Sequence, residues 1–181
     1  MYLRDLFPEL QGNFILLQQN VGWPRRSEEI ANMAKRNDRR NFCIIFNGSL
    51  FPDCPESYLQ HKAFLDYCDL DKLVASADIG LVFYLDDNEN DALISHASGQ
   101  LSHFAMLGVP VVASYTPSLE RLMKKYEFGI LVNSVEEIYP AAEKIMRNYD
   151  RYCAGALACF DAEYDIANYQ EHISSKLREL V

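Results

Sequence analysis

Short apolar runs alternate along this chain with segments in which apolar residues recur at helical spacing. The longest run, Ile79–Leu85, is almost continuously apolar, as is typical of a strand buried on both faces of a sheet. Shorter runs also predict strands: Phe14–Gln18, Phe42–Phe46, Ala63–Tyr67, Val109–Ala113 and Phe128–Val132. Because strands that alternate with helices form βαβ units, the sequence predicts an α/β fold with a mainly parallel sheet.

Several polar residues mark the starts of predicted helices. Thr116 supplies a capping hydroxyl and is followed by a proline at the first helical position. Ser134 and Glu137 have the spacing of a capping box, and we expect Pro140 to restart the helix that follows. The remainder, from residue 148, predicts two helices and no further strand.

The length of 181 residues suits one domain with its own core. A hydrophobic content of 49% with 24% charged residues indicates a soluble globular protein. Residues 1–13 lack a core-facing pattern and are predicted to be a linker. Residues 14–181 are therefore expected to form a single domain.

Charge and cysteine content exclude several classes of protein. A net charge of −9, with one dense basic run at Lys35–Arg40, argues against a nucleic-acid partner. Five cysteines without CxxC spacing indicate reduced thiols, not a disulfide frame or a zinc site. No apolar run reaches the roughly 18 residues of a membrane span, and the N-terminus lacks a signal-peptide core. We therefore expect a cytoplasmic protein.

A long polar loop separates the strand ending at Leu85 from a helix that opens near Ser98. In a parallel sheet this loop lies at the carboxyl edge, where ligands bind. Ser98, Gly99 and Gln100 would expose free backbone N–H groups at the positive end of the helix, which is a site for phosphate. Many helices begin in this way and bind nothing, so the local pattern leaves both interpretations open.

The segment Ser98–Ser114 (SGQLSHFAMLGVPVVAS) resembles the stretch of GT-B glycosyltransferases that grips the diphosphate of a nucleotide-sugar. Leu107–Ser114 matches the family's small-Gly-x-Pro-Val-Val/Ile-Ala-Ser pattern, and Leu122–Ile138 resembles the segment that follows it. The resemblance extends from about Phe14 to Val181. It implies a Rossmann-like three-layer α/β/α domain with about six strands, the C-terminal half of a GT-B architecture.

The resemblance also implies a function. The domain would bind a nucleotide-diphosphate sugar for transfer of a hexose-type sugar to an acceptor, in glycan or polysaccharide synthesis. The acceptor site would lie on an N-terminal domain of the same enzyme, and neither a metal nor a cofactor is expected. The residues implied for the diphosphate are Arg25, Arg26, Ser98, Gly99, Gln100, Leu101 and His103; for the nucleobase Gly48, Asp66 and Tyr67; and for the sugar Ser95 and His96. No catalytic residue is assigned.

The chain departs from the family pattern at the proposed site. Many retaining members carry two glutamates separated by seven residues, and the matching positions here hold Ser95 and His103. Gln100 stands where a related branch has lysine. These departures leave a second interpretation open, a catalytically inactive nucleotide-binding or interaction module. A sugar-nucleotide epimerase is a third, but it needs catalytic carboxylates that we cannot place.

Several candidate residues also have a purely structural interpretation. Arg25 and Arg26 fit a pair of surface arginines, and His103 fits a half-buried, hydrogen-bonded histidine. The acidic run Asp86–Asp91 does not match the Ca²⁺-loop spacing, so it is predicted to be a solvated loop.

Overall fold

The structure is a computed structural model that describes residues 2–20, 26–37, 41–48, 58–61, 66–84 and 93–179. One parallel sheet runs through these residues, in the order β3-β2-β1-β4-β5-β6. The strands are β1 Phe14–Asn20, β2 Phe42–Gly48, β3 Tyr58–His61, β4 Ile79–Val82, β5 Val111–Ser114 and β6 Gly129–Val132. Edge strand β3 is described by its backbone alone. The predicted α/β class with a parallel sheet is confirmed.

Helices cover both faces of the sheet. They are α1 Tyr2–Leu6, α2 Ser27–Arg36, α3 Tyr67–Ala75, α4 Gly99–Met106, α5 Pro117–Tyr126, α6 Ile138–Met146, α7 Tyr149–Cys159 and α8 Gln170–Glu179. One buried cluster joins α1, α3, α4, α5 and α7 to one face, and a second joins α2 and α6 to the other. Within the described ranges, no helix is both long and apolar enough to cross a bilayer.

Strand β1 shows how the sequence produces these layers. Successive side chains of a strand point to opposite faces of a sheet. Ile15 and Leu17 accordingly pack in the first cluster and Leu16 in the second, all three fully buried. Strands covered on both faces must be apolar on both faces, which explains the continuous apolar runs.

The predicted helix start at Thr116 is confirmed, whereas the predicted capping box is wrong. Thr116 Oγ1 accepts a hydrogen bond from Leu119 N at 3.2 Å. Ser134 makes no such bond, and Glu137 Oε2 accepts from Asn133 N at 3.2 Å, one residue earlier than expected. Pro140 is the third residue of α6 and does not restart it. Its missing N–H is tolerated because the first turn has no intrahelical acceptor.

The predicted strand Ala63–Tyr67 is contradicted at Asp66 and Tyr67, the two of its residues that the structure describes. The edge strand lies earlier, at Tyr58–His61, and Tyr67 is already the first residue of α3. Asp66 explains the difference, because its side chain accepts a hydrogen bond from Asp69 N at 2.9 Å and so caps the helix. Residues 62–65 lie outside the described residues.

The prediction that residues 1–13 have no core-facing pattern is wrong. Leu3 of α1 and Leu10 of the 3₁₀ turn Pro8–Leu10 are both buried in the first cluster. Arg4 donates to Asp78 Oδ2 at 3.0 Å, and Leu3 N donates to Ser76 Oγ at 3.2 Å. The apolar residues were missed because they are divided between two short elements, so neither shows a stripe of its own.

Gly80 allows α4 to approach β4 closely. A Cβ at Gly80 would lie 2.7 Å from three ring carbons of Phe104, which is fully buried. We expect Gly80→Ala to lower the free energy of unfolding by about 1–3 kcal/mol, because the enclosed ring cannot move aside. Urea titration checks this value. Gly99→Ala is the control, since a Cβ there meets nothing within 4 Å. Equal stability of the two variants would contradict this packing.

Candidate functional site

The N-terminus of α4 lies where the strand order reverses. In the order β3-β2-β1-β4-β5-β6 the reversal falls between β1 and β4, and α/β proteins bind ligands outside the carboxyl ends of such strands. Gln100 Nε2 donates to Gln19 O of β1 at 3.2 Å and to Leu81 O of β4 at 3.3 Å. The second residue of α4 therefore joins the two strands at the reversal point.

Two side chains hold the first turn of α4. Ser98 is the N-cap, and its Oγ accepts from Leu101 N at 3.0 Å. Tyr84, which follows β4 and is buried, donates its hydroxyl to Ser98 Oγ and its backbone N–H to Ser114 Oγ at 3.0 Å. The helix start is thus fixed to the ends of β4 and β5.

The space in front of α4 is open. The N–H groups of Gly99 and Gln100 belong to the first turn, where no intrahelical acceptor exists. Gly99 is exposed, and a side chain built there would meet no atom within 4 Å. Two backbone donors and the positive end of the helix dipole therefore face accessible space.

The 3₁₀ turn Ile94–Ala97, directly before α4, is held by the π turn Phe160–Tyr164. Tyr164 Oη donates to Ser95 O at 2.6 Å, and Ser95 is buried. Burial raises the pKa of Tyr164 above its usual value, so the phenol stays a neutral donor. Ser95 Oγ lies 3.2 Å from His96 Nδ1, and His96 Nε2 lies 3.4 Å from Glu163 Oε2.

Glu163 contacts side chains from several elements, which the sequence analysis did not predict. Its carboxylate accepts from Lys125 Nζ at 2.8 Å and from Tyr126 Oη at 2.6 Å, both near the end of α5. The hydrogen bond from Lys125, followed by that from Tyr126, lowers the pKa of Glu163 to about 2. The turn that carries Ser95 and His96 is thereby connected to α5 and to the π turn.

The structure brings five of the predicted site residues together in one segment: Ser95, His96, Ser98, Gly99 and Gln100. The side chains of Leu101 and His103 make other contacts. Leu101 is fully buried, and its N–H is used by the Ser98 cap. His103 Nε2 lies 2.7 Å from Asp71 Oδ1 on α3. This pairing agrees with the structural interpretation of His103, whose role in a ligand site stays a prediction.

The other predicted residues that the structure describes belong to other elements of the fold. Arg26 has a left-handed backbone (φ 56°) before α2, and its Nη2 is 2.7 Å from Glu29 Oε2. It lines a cleft of about 190 Å³ at the ends of β5 and β6, with Ser114, Tyr115, Val132 and Asn133. Gly48 ends β2 with a positive φ of 143°. Asp66 is the exposed cap of α3, which begins at Tyr67. Arg25 lies outside the described residues.

Gln19 is a further residue at this edge that the sequence reasoning missed. It is 7% exposed, and its Nε2 is buried without a hydrogen-bond partner within the described ranges. The same is true of Gln100 Oε1. The available signal was the pair Gln18-Gln19, which interrupts the apolar run of a strand predicted to be covered on both faces.

Metal-ligating side chains do not cluster in the part of the chain that the structure describes. No group of three or more His, Cys, Asp or Glu side chains there is arranged to hold an ion. The acidic run Asp86–Asp91 lies outside that part.

Solved structures share this arrangement of strands and helices, although no family model and no curated protein matches the chain. Anabaena HepE, solved in complex with UDP-glucose, superposes with a TM-score of 0.69 at 14% identity, over 98% of this chain and 52% of HepE. Sucrose-phosphate synthase from Thermosynechococcus elongatus superposes with a TM-score of 0.70 at 14% identity, over 98% of this chain and 48% of the synthase. The C-terminal CMP-Kdo binding domain of WaaA from Acinetobacter baumannii superposes with a TM-score of 0.56 at 11% identity, over 87% of this chain and 93% of the WaaA domain.

The chain has the fold of a GT-B C-terminal domain. The Rossmann-like α/β fold that the sequence resemblance implied is thereby confirmed. The chain spans about half the length of HepE and of sucrose-phosphate synthase, and most of the separate WaaA domain.

The start of α4 carries no charged side chain. Ser98, Gly99 and Gln100 are neutral, and the Gln100 amide directs its N–H groups to strand carbonyls. A phosphate at this position would therefore be stabilised by backbone N–H groups and by the helix dipole, not by the Gln100 side chain.

The low pKa of Glu163 predicts a pH dependence of stability. A carboxylate whose pKa falls from about 4.5 to about 2 on folding stabilises the protein above pH 5, and this contribution is lost as the pH falls towards 2. We expect Glu163→Gln to be less stable than the wild type at neutral pH, with a difference that shrinks steadily below pH 5. Urea unfolding at several pH values measures the difference.

Glu179→Gln is the matched control, because Glu179 is an exposed partner of Lys176 at 2.9 Å. It should change stability little at any pH. If the difference in free energy of unfolding between wild type and Glu163→Gln stays constant down to pH 3, the lowered pKa of Glu163 is contradicted.

Proposed function

We propose that this chain is the donor-binding domain of a GT-B glycosyltransferase and holds the diphosphate of a nucleotide-sugar at the start of α4. One observation carries the proposal: the N-terminus of α4 lies over the β1–β4 reversal, with Gly99 facing open space. A helix N-terminus in this position is a ready site for phosphate, since unpaired N–H groups and the dipole both favour an anion.

The chemistry of transfer suits such a site. The bond between the anomeric carbon and the diphosphate oxygen breaks, the acceptor oxygen bonds to that carbon, and the acceptor proton passes to a base. Negative charge grows on the departing diphosphate, where the Gly99 and Gln100 N–H groups stabilise it. Donors fixed by the Ser98 cap need no rearrangement during the reaction.

The fold comparisons support the class of ligand. HepE was solved with UDP-glucose and MnaA of S. aureus with UDP, both at low identity to this chain. We therefore assign the donor as a nucleotide-diphosphate hexose used in glycan or polysaccharide synthesis in the cytoplasm, without a metal. Because the chain spans about half of HepE, we assign the acceptor site and the general base to an N-terminal domain of the same enzyme.

Isothermal titration calorimetry on the whole chain with UDP, GDP and ADP tests the proposal. We expect saturable binding of at least one nucleoside diphosphate, and weaker binding of its nucleoside, which lacks the phosphates. A folded chain that binds none of them at millimolar concentration would overturn the proposal.

Gly99→Glu separates binding from folding. A carboxylate at the first helical residue stabilises the helix by about 0.3–1 kcal/mol through the dipole, but it repels a diphosphate held there. Compared with the neutral Gly99→Gln, we expect Gly99→Glu to unfold at the same or a higher temperature. We also expect it to bind the nucleotide at least about tenfold more weakly.

Calorimetry and thermal unfolding of both variants provide these two values. Gly99→Gln controls for bulk, since both side chains have the same size and enter the same open space. Equal nucleotide affinity of the two variants would place the diphosphate somewhere else.

A further inference from the structure

Within the residues that the structure describes, Gln19 Nε2 and Gln100 Oε1 at the β1–β4 reversal are buried and have no hydrogen-bond partner. Gln19 is more than nine-tenths buried. Nearly all buried polar side-chain atoms in folded proteins are paired, because an unpaired one loses its water without compensation. An unpaired donor and an unpaired acceptor on two residues that contact each other are groups that a ligand could complete.

The Gln19 side chain lies on the face of the sheet that α4 covers. Side chains alternate along β1, so Gln19 shares a face with Ile15 and Leu17. Those two residues pack in the same buried cluster as Leu101 and Phe104 of α4. The backbone carbonyl of Gln19 also accepts from Gln100 Nε2 at 3.2 Å, so the two glutamines are immediate neighbours.

The orientation of the Gln100 amide is fixed by its contacts. Its Nε2 donates to two carbonyl oxygens, Gln19 O and Leu81 O. Exchanging the positions of Oε1 and Nε2 would place an acceptor against two acceptors. The atom left over, Oε1, is therefore an acceptor, and it is buried without a hydrogen-bond partner in the described part of the chain.

We propose that Gln19 and Gln100 bind a hydroxyl group of the ligand, and that Gln19 is a specificity-determining residue. A hydroxyl accepts from Gln19 Nε2 and donates to Gln100 Oε1 at the same time. An ionised phosphate only accepts, so it would be repelled by Oε1; an ammonium only donates, so it would be repelled by Nε2. The pair therefore suits a neutral polyol that adjoins the diphosphate.

This inference rests on the proposed function, which places a diphosphate at Gly99. In a nucleotide-sugar, hydroxyls flank the diphosphate on both sides, on the ribose and on the transferred sugar. Both sources offer the same chemistry to Gln19 and Gln100, and deoxy ligands distinguish them.

The test measures Kd by calorimetry for wild type and Gln19→Leu. The first ligand is whichever of UDP, GDP and ADP binds most tightly. The others are the 2′-deoxy form, the 3′-deoxy form and the glucose conjugate of that same nucleotide. If the hydroxyl belongs to the ribose, the wild type prefers the ribonucleotide by about three- to tenfold, and Gln19→Leu abolishes that preference. If it belongs to the sugar, the preference for the glucose conjugate over the diphosphate is abolished instead.

The unfolding temperature of unliganded Gln19→Leu distinguishes a ligand-binding role of Gln19 from a structural one. If Gln19 were structural, the substitution would lower that temperature. Replacing an unpaired buried donor with an apolar group of similar size should leave the unliganded protein as stable or more stable. Gln170→Leu makes the same chemical change at an exposed position of α8 and should alter neither affinity nor stability.

Three outcomes would overturn the inference. Unchanged preferences in a Gln19→Leu variant that still binds nucleotide would refute the hydroxyl site and leave the proposed function intact. A loss of stability together with affinity would show that Gln19 is structural. Absence of nucleotide binding by the wild type would refute both proposals.

Discussion

The Gln100 amide fixes the position of the start of α4, where we propose the diphosphate site. Backbone pairing between β1 and β4 covers three residue pairs and ends at Gln18 and Leu81. Just there Gln100 Nε2 donates to a carbonyl of each strand, so the side chain fastens α4 to the reversal of the sheet. The second restraint is the Ser98 cap, which Tyr84 joins to Ser114. The direction of the free N–H groups follows from these two restraints.

A glutamine at this place has a different effect from a lysine. An ammonium group would add positive charge for a diphosphate, but it has no acceptor atom. The amide lacks that charge, and its oxygen is an acceptor that is buried without a hydrogen-bond partner in the described part of the chain. On the proposed function, the domain would bind an anion with backbone N–H groups and would have neutral polar atoms nearby for the rest of the ligand. Unpaired groups reduce the stability of the unliganded fold, a pattern expected at functional sites.

The sequence predicted the elements whose signals are local. Continuous apolar runs identified β1, β2, β4, β5 and β6, and small polar caps identified the starts of α4 and α5. The failures have a physical pattern. Asp66 and Tyr67 were predicted to end a strand, but the Asp66 side chain caps α3, which begins at Tyr67. Strand β3 lies earlier, at Tyr58–His61. Leu3 and Leu10 are buried by α3 and the sheet, which no periodicity inside residues 1–13 could show.

The candidate site was predictable only in its backbone. Ser98 and Gly99 were recognised because a helix start exposes N–H groups whatever surrounds it. Side-chain pairings depend on which elements become neighbours in space. Glu163 is brought to His96 by a turn 67 residues further along the chain, and Asp71 reaches His103 from another helix. Gln19 became informative once the structure showed that its Nε2 is buried without a hydrogen-bond partner among the described residues.

The topology also affects how the site comes into existence during folding. Gln19 lies in the half of the sheet formed by β3, β2 and β1, whereas Gly99 and Gln100 belong to the half formed by β4, β5 and β6. Each half can pair its own strands, but the donors and acceptors meet only when β4 docks on β1, an encounter of segments about 60 residues apart. The proposed site therefore depends on a long-range contact, and a chain in which β4 has not yet docked on β1 would lack it.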